Sequence, residues 1–293
     1  MRKKLYPYYW HIPAVALFFV FLLIPLIFGI VISFFKWNGM IEDLFKNFVK
    51  FENYTALLKD ENFIIALKNT IFFTIGSVLL QNFLGFFIAV FIFFGRFRNS
   101  NIIRALIFCP GVLSGVLVAL MWKQILASDG LINTILNFIG IQSIIFLTER
   151  NLVIWIMVLI NAWQWTGFNM VIIYAGLLSL DTELIEASNL DGANFWQSIY
   201  HIVFPILKPI IWLSVIFNII GGFRVFDVIW NATRGGPLNR SQVLSTYIFY
   251  RSFGDISMGY VNLGYASAIA VVLMLILIIL TTLRMRYLRS GLR

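Results

Sequence analysis

The sequence has 293 residues, of which 60% are hydrophobic and 12% are charged, and its formal net charge is +9. The polar residues are too few to cover the surface of a water-soluble globule of this size. The composition therefore excludes a water-soluble globular protein and predicts a multi-pass membrane protein built from helices. The basic residues stand in short clusters beside apolar runs, a pattern that sets membrane orientation, so we expect membrane lipid and no nucleic acid around the chain.

The first apolar run follows a basic N-terminal cluster, Arg2, Lys3 and Lys4. It continues without a charge from residue 12 to residue 35, which is longer than the apolar part of a secretory signal peptide, and it contains no small-residue cleavage site. We therefore expect a membrane anchor that is retained.

Runs long enough to cross about 30 Å of hydrocarbon recur along the chain. We predict a single all-α transmembrane domain over residues 1–293, with spans at 12–35, 70–94, 105–122, 152–175, 209–230 and 261–283. The fifth span holds Arg224 and Asp227, three residues apart. Because that spacing allows an ion pair on a helix, we favour a structural pair over a gate contact.

The uncharged segment 131–148 decides the predicted topology. On a helix its apolar residues lie opposite Asn133 and Asn137, which is typical of a segment in the membrane interface. If it were a seventh span, the basic N terminus and the basic C-terminal cluster would face opposite compartments. Six spans place both termini, and the loop bearing Arg96 and Arg98, on the cytoplasmic side, as the positive-inside rule favours.

The remaining cytoplasmic loop, residues 179–208, carries four acids against one Lys. It contains the run Glu186-Ala187-Ser188-Asn189-Leu190-Asp191-Gly192-Ala193 and, after eight residues, Ile202-Val203-Phe204-Pro205. We predict a helix over 181–190 and a break with positive φ at Gly192. A second short helix follows, capped by Asn194 with Gln197 in a capping box and ended by Pro205 before the fifth span.

This loop resembles the EAA signature of permease subunits of binding-protein-dependent ABC importers: E-A-A, two residues, D-G-A, eight residues and I-x-L-P. Ser188 at the third position and Phe204 before the proline are mild departures. The resemblance implies a type I importer permease fold of six spans, in which the loop is a cytoplasmic coupling helix that docks on an ATPase subunit. The residues to which it assigns this docking role are Glu186, Ala187, Ser188, Asp191, Gly192, Ala193, Ile202 and Pro205.

Other stretches resemble sugar permeases of the maltose and lactose type, in particular the first subunit of the pair. They are residues 48–54, 130–141, 226–237 and 264–268. The resemblance implies a prokaryotic inner-membrane complex with a second permease, two ATPase subunits, an extracytoplasmic solute-binding protein and a carbohydrate cargo, in particular an oligosaccharide. The sequence has no G-x-x-x-x-G-K-[ST] phosphate loop, so we expect no catalytic residue and no cofactor here, with ATP and Mg bound by the partner ATPase.

Polar residues within spans usually mark a transport pathway or a contact between helices. Asn161, Gln164, Trp165 and Asn169 fall on one face of the fourth span, and Asn218 is a further candidate in the fifth. Amide groups bind hydroxyls and aromatic rings stack on the C–H faces of a sugar, so we predict a substrate pathway here. Hydrogen bonding between helices remains an equal alternative.

Three other functions compete with this prediction. An ion-coupled secondary transporter needs intramembrane carboxylates, and the spans offer only Asp227. A membrane enzyme needs a cluster of nucleophile, base or metal ligands, yet the chain has one Cys and two distant His, so we expect no metal. A glycerol phosphate or polyanionic saccharide cargo needs a basic lining, and the spans contain almost no Arg or Lys.

Overall fold

The computed structural model describes residues 11–40, 43, 45–95, 97–254 and 261–290. Within these ranges the chain is helical, with one isolated bridge between Phe35 and Phe48 and no β-strand, which confirms the all-α class. Arg2, Lys3, Lys4 and Arg96, which were used to predict the membrane orientation, lie outside the described residues. The helices are α1 Ile12–Ile32, α2 Glu52–Lys59, α3 Glu61–Phe94, α4 Ser100–Val112, α5 Gly115–Ile125, α6 Leu131–Phe138, α7 Val153–Leu177, α8 Thr182–Leu190, α9 Phe195–Phe223, α10 Asp227–Thr233, α11 Leu244–Phe253 and α12 Leu263–Ser290.

Five helices in the described part of the chain are long and apolar enough to cross a membrane. They are α1, α3, α7, α9 and the portion Leu263–Leu283 of α12. The first, fourth and sixth predicted spans coincide with α1, α7 and α12 to within a few residues, whereas α3 begins at Glu61, ahead of the predicted start at residue 70. A sixth crossing is available only if α4 and α5 are taken together.

The third predicted span, 105–122, is wrong as a single straight helix. The chain turns by 96° between α4 and α5. Pro110 lies in the short 3₁₀ turn that ends α4, and Leu113 is extended, with φ −70° and ψ 141°. Ser114 then caps α5 by accepting a hydrogen bond from the Leu117 N–H at 3.3 Å. The apolar run therefore contains both a stop signal and a start signal for a helix.

The fifth predicted span, 209–230, is displaced in the structure. Helix α9 begins at Phe195 and ends at Phe223, so Pro205 does not end a separate short helix as predicted. A π turn at Ile199–Val203 precedes Pro205, which lies in the first turn of the following α-helical part. Because the i to i−4 hydrogen-bond pattern is already interrupted there, the missing N–H of the proline is accommodated without breaking the helix.

The predicted pair of Arg224 and Asp227 on one helix is also wrong. Arg224 is the C-terminal cap of α9, whereas Asp227 begins α10, and no ion pair joins them. The backbone breaks between them at Phe226, with φ −137° and ψ −61°. The Ser245 hydroxyl donates to the Val225 carbonyl, which is freed by this break.

Segment 131–148 contains only the short helix α6, which is too short to span a membrane, and its amides do not share one exposed face as predicted. Asn133 is fully buried and donates to the carbonyls of Ala127 (2.8 Å) and Ile144 (2.9 Å). It also accepts from the Ile144 N–H at 2.8 Å. Asn137 is exposed. Asn133 therefore fixes the turns on both sides of α6 instead of facing solvent.

The described residues form two compact units, one made of those within 11–61 and 247–276 and the other of those within 62–246 and 277–290. In the first unit, Asn53 of α2 donates to the carbonyls of Ser33 (2.8 Å) and Phe35 (3.0 Å). The Ser33 hydroxyl also contacts the Tyr54 hydroxyl at 2.6 Å. These bonds hold the chain where α1 ends, because carbonyls there have no partner within the helix.

A carboxylate joins three elements of the same unit. Asp60, between α2 and α3, accepts hydrogen bonds from Tyr247 (2.5 Å) and from Tyr265. The guanidinium of Arg251 lies 4.6 Å from the centre of the Tyr265 ring. Burial, followed by the hydrogen bond to Asp60, raises the pKa of Tyr247, so its hydroxyl remains a donor at neutral pH.

Helix α7 is central to the second unit. Of its central residues 61% are buried, compared with 6% in α1. One apolar cluster joins Met157 to Phe73 of α3 and Ile229 of α10, and another joins Met170 to Val203 of α9. These clusters hold α3, α9 and α10 against α7 and so position the polar groups described below.

We expect Asn133→Ala to lower the free energy of unfolding by about 1–3 kcal/mol, because buried backbone groups at Ala127 and Ile144 lose their partner. The measurement is the thermal unfolding midpoint of the purified protein in detergent. Asn137→Ala, on the same helix but exposed, is the matched control and should leave the midpoint nearly unchanged. Equal midpoints for the two variants would contradict the role of Asn133.

Candidate functional site

The acidic loop forms two helices joined by a tight turn. Asp181 caps α8, accepting a hydrogen bond from the Glu183 N–H at 3.0 Å, and Gly192 has φ +83°. Asn194 and Gln197 exchange reciprocal bonds of 2.7 and 2.9 Å at the start of α9. The predicted helix, the positive φ and the capping box are confirmed.

The turn is also held by hydroxyl groups. Ser188, at the position where the loop departs from the EAA pattern, contacts the Ser198 hydroxyl at 2.9 Å and donates to the Ile185 carbonyl at 2.8 Å. Ser198 is 4% exposed, so this contact lies in the angle between α8 and α9. Because α9 continues to Phe223, the turn is attached directly to a long apolar helix.

One face of the turn is open to contact. Glu186, Ala187, Asp191 and Gly192 are exposed, and Leu190 exposes 89% of its surface. Ala193 and Ile202 are partly exposed, and Pro205 is exposed on α9. Leu190 is thus the most exposed apolar residue of the motif. Leu190 was not predicted as a docking residue, although it lies within the motif.

A cavity of about 560 Å³ lies within the second unit, between α3, α5, α7, α9 and α10. Amide, aromatic and charged side chains contribute to its lining. The lining side chains that bear on its chemistry are Gln81, Asn161, Gln164, Trp165, Phe168, Phe217, Asn218, Arg224, Phe226 and Asp227.

Two buried amide contacts form part of the wall. Gln81 of α3, 3% exposed, donates to the Asn161 Oδ1 at 2.7 Å. Gln164, 2% exposed, donates through Nε2 to the Leu113 carbonyl at 3.0 Å. The Oε1 atom of Gln164 is buried and accepts no hydrogen bond from the described residues. Gln164 therefore keeps one enclosed acceptor without a partner among the described residues.

The structure separates the predicted pathway residues into two groups. Asn161, Gln164, Trp165 and Asn218 line the cavity, but Asn169 does not. Asn169 is fully buried, donates to the Trp165 carbonyl at 3.1 Å and accepts through Oδ1 from Asn218 at 2.9 Å. It also accepts from the Ser214 hydroxyl. Its position is that of a contact between α7 and α9.

Sequence reasoning missed the way in which helix breaks shape the cavity. Leu113 and Phe226, at the two breaks, both line it, and so do Arg224 and Asp227, which were expected within one span. The Pro110-Gly111 pair before the first break was the available signal. Within the described ranges, no three His, Cys, Asp or Glu side chains come together as a metal site.

Long apolar helices around a cavity that amide and charged side chains help to line, with an exposed helical turn at one end of α9, fit a membrane transport subunit. Residues 81–293 match the model of the family described as binding-protein-dependent transport system inner membrane component. The chain belongs to this family and is therefore an inner-membrane permease subunit of a binding-protein-dependent ABC transporter. This confirms the family resemblance predicted from the loop.

Individual relatives extend over nearly the whole chain. The lactose transport system permease protein LacF of Rhizobium radiobacter is 31% identical over 279 residues, 93% of this chain and 90% of the relative. The arabinooligosaccharides transport system permease protein AraP of Bacillus subtilis is 29% identical over 290 residues, 97% of this chain and 88% of the relative.

A solved structure has the same fold. It is the crystal structure of a bacterial ABC transporter involved in the import of the acidic polysaccharide alginate. One of its chains superposes with a TM-score of 0.79 at 26% identity, covering 95% of this chain and 94% of that chain. The predicted importer permease fold is confirmed.

We expect Asn194→Ala to weaken the start of α9 by about 1 kcal/mol, because the Gln197 N–H loses its cap. Hydrogen exchange at the amides of residues 195–198 should then become about fivefold faster. Asn189→Ala, in the last turn of α8, serves as the control and should leave these amides unchanged. Unchanged exchange in Asn194→Ala would contradict the capping role.

Proposed function

We propose that this permease moves a sugar across the membrane through the cavity around Gln164 and Trp165. The observation that carries the proposal is the lining itself, in which buried amides and aromatic rings stand together. Amides bind hydroxyl groups, and indole and phenyl rings cover the apolar faces of a pyranose. The volume of about 560 Å³ lies within the range of about 300–1,000 Å³ that is usual for small-molecule sites.

The charge of the lining favours a neutral cargo. Arg224 and Asp227 are its charged side chains, and their formal charges cancel. LacF and AraP, the relatives named above, carry the names of lactose and arabinooligosaccharides, which are neutral sugars. An acidic saccharide is the second candidate, because the solved transporter of similar fold imports alginate. A glycerol phosphate cargo has no corresponding support.

The energy for transport comes from ATP hydrolysis by partner subunits. In this proposal two ATPase subunits bind ATP and Mg, and each complex also contains a second permease and an extracytoplasmic solute-binding protein. The exposed Leu190 inserts into a cleft on the ATPase, and Glu186 and Asp191 make polar contacts beside it. The capping box and the Ser188–Ser198 contact keep this turn rigid enough to transmit force.

Helix α9 connects the turn at Gly192, called the docking turn below, with the cavity. Between Phe195 and Asn218 it extends about 35 Å at 1.5 Å per residue. Movement of the turn by the ATPases therefore displaces the wall of the cavity as a rigid body. In this arrangement the turn lies in the cytoplasm, and so do both chain termini.

The cargo assignment predicts a specific effect of Trp165→Ala. If the ring stacks on the sugar with about 1.4 kcal/mol, its loss should raise the half-saturating sugar concentration for uptake about tenfold. Uptake of labelled lactose and arabinotriose by the reconstituted complex with its binding protein is the measurement. Alginate oligomers, added as competitors, test the second candidate.

Trp163→Ala is the matched control for this experiment. Both tryptophans are 39% exposed on α7, but Trp163 packs against Trp122 and does not line the cavity. Equal effects of the two substitutions would argue against a cargo contact at Trp165. Efficient competition by alginate oligomers but not by neutral sugars would reverse the choice of cargo.

The docking assignment predicts that Gly192→Leu uncouples ATP hydrolysis from transport. A side chain at this φ costs roughly 1–2 kcal/mol, and in the isolated chain a Cβ there meets no atom within 4 Å. Gly140 has φ +82° and the same open surroundings, so Gly140→Leu carries a similar backbone cost. Only Gly192→Leu should reduce sugar-stimulated ATPase activity of the assembled complex. Normal coupling in Gly192→Leu would contradict the docking role.

A further inference from the structure

Two charged side chains line the cavity without pairing with each other. Arg224 and Asp227 are both exposed, and no ion pair joins them. Neither side chain makes a hydrogen bond with another of the described residues. A molecule inside the cavity can therefore reach both groups, and each has its full hydrogen-bonding capacity to offer.

The backbone holds both residues in place. Arg224 ends α9, and its N–H donates to the Ile220 carbonyl at 3.2 Å. Asp227 begins α10, in which the fully buried Ile229 belongs to the apolar cluster around α7. A Cβ on Gly115 of α5 would lie 2.7 Å from the Cβ of Asp227, so the close approach of α10 to α5 requires glycine there. The carboxylate thus occupies a defined place in the cavity wall.

Another part of the wall is fixed by a contact between backbones. Gly167 of α7 lies two residues after Trp165, which lines the cavity. A Cβ placed on Gly167 would lie 2.2 Å from the Ile107 carbonyl oxygen and 2.7 Å from the Phe108 Cα, so α4 and α7 touch and only glycine fits. This contact and the apolar clusters give the cavity a fixed frame, in which Trp165 and the two charged groups keep their spacing.

Arg224 and Asp227 have opposite hydrogen-bonding roles. A guanidinium group only donates and a carboxylate only accepts, whereas a sugar hydroxyl does both. Neighbouring hydroxyls can accept from Arg224 and donate to Asp227, and such a chain of hydrogen bonds strengthens each of its members. A carboxylate on the cargo has no proton to donate to Asp227, and the two negative charges repel each other. The two residues therefore distinguish a hydroxyl from a carboxylate.

We propose that Arg224 and Asp227 form a bridging site in which sugar hydroxyls connect the two charges, and that Asp227 rejects acidic saccharides. The site lies at the end of α9 opposite the docking turn, where a sugar delivered from outside the cell arrives in the orientation proposed above. The inference rests on the proposed function, because it requires a sugar in the cavity. It goes further by naming the residues that choose between the two candidate cargoes.

The test uses two ligands that differ only in the group of interest. They are an alginate trisaccharide and the same trisaccharide with its carboxylates reduced to alcohols. Dissociation constants are measured by NMR titration of the complete permease–ATPase complex in lipid nanodiscs, without the solute-binding protein, so that selection by that protein does not contribute. Uptake of arabinotriose by the wild-type complex with its binding protein is measured in parallel.

We expect the wild type to bind the reduced trisaccharide at least about tenfold more tightly than the acidic one, because unpaired charge in a site acts against the wrong ligand. Asp227→Asn should weaken binding of the reduced form about tenfold, as expected when a hydrogen bond to a charged group is lost. The same variant should bind the acidic form about fivefold more tightly, since Arg224 then acts unopposed. Asp227→Glu keeps the charge and should still reject the acidic form.

A second variant tests the bridge itself. Arg224→Gln should weaken binding of the reduced form about tenfold, and the double variant with Asp227→Asn should be little weaker than either single one, because each removes the same chain of bonds. Independent contacts would instead give a loss of about a hundredfold. Asp129→Asn and Arg240→Gln change exposed charges that do not line the cavity. These matched controls should bind both ligands as the wild type does.

The outcomes separate this inference from the proposed function. A wild-type complex that takes up no arabinotriose and binds neither trisaccharide would contradict the sugar cargo itself. Uptake together with the same ligand preference in the wild type and Asp227→Asn would overturn the selecting role of Asp227. Additive losses in the double variant would overturn the bridge, and tighter binding of the acidic form by the wild type would overturn the choice of a neutral cargo.

Discussion

Backbone polar groups in a membrane must find their hydrogen bonds inside the protein, and this requirement governs where the helices of this permease continue and where they break. Long helices meet the requirement within themselves. At the two breaks beside the cavity, side chains meet it instead, Gln164 for the Leu113 carbonyl and Ser245 for the Val225 carbonyl. Irregular backbone is therefore found where polar side chains are available to support it.

Most of the helical architecture could be predicted from the sequence, because long uncharged runs have few alternatives in a bilayer. The docking turn was predicted in detail, from the helix cap to Gly192, since caps and positive φ depend on local residue chemistry. The errors lie where the backbone around an element decides. Pro205 was expected to end a helix, but the π turn before it accommodates it, and Asn133 was assigned to a polar face although its partners, Ala127 and Ile144, lie on either side of its helix.

The buried amides show why the functional site was harder to predict than the fold. Asn169 and Gln164 are residues of similar chemistry on one helix, five positions apart, and both were assigned to a pathway. Asn169 bonds to Trp165, Ser214 and Asn218, whereas Gln164 lines the cavity and bonds to the Leu113 carbonyl. That difference depends on which atoms of α4 and α9 lie opposite, and a single sequence contains no record of it.

The backbone contact at Gly167 has a consequence for how such transporters diverge. Where two main chains touch, the crossing point of the helices cannot drift, because any side chain would force them apart. New cargo preferences must then arise by exchanging the residues around an unchanged frame. When the helix arrangement is anchored in this way, the residues that contact the cargo can change during evolution while the fold stays the same.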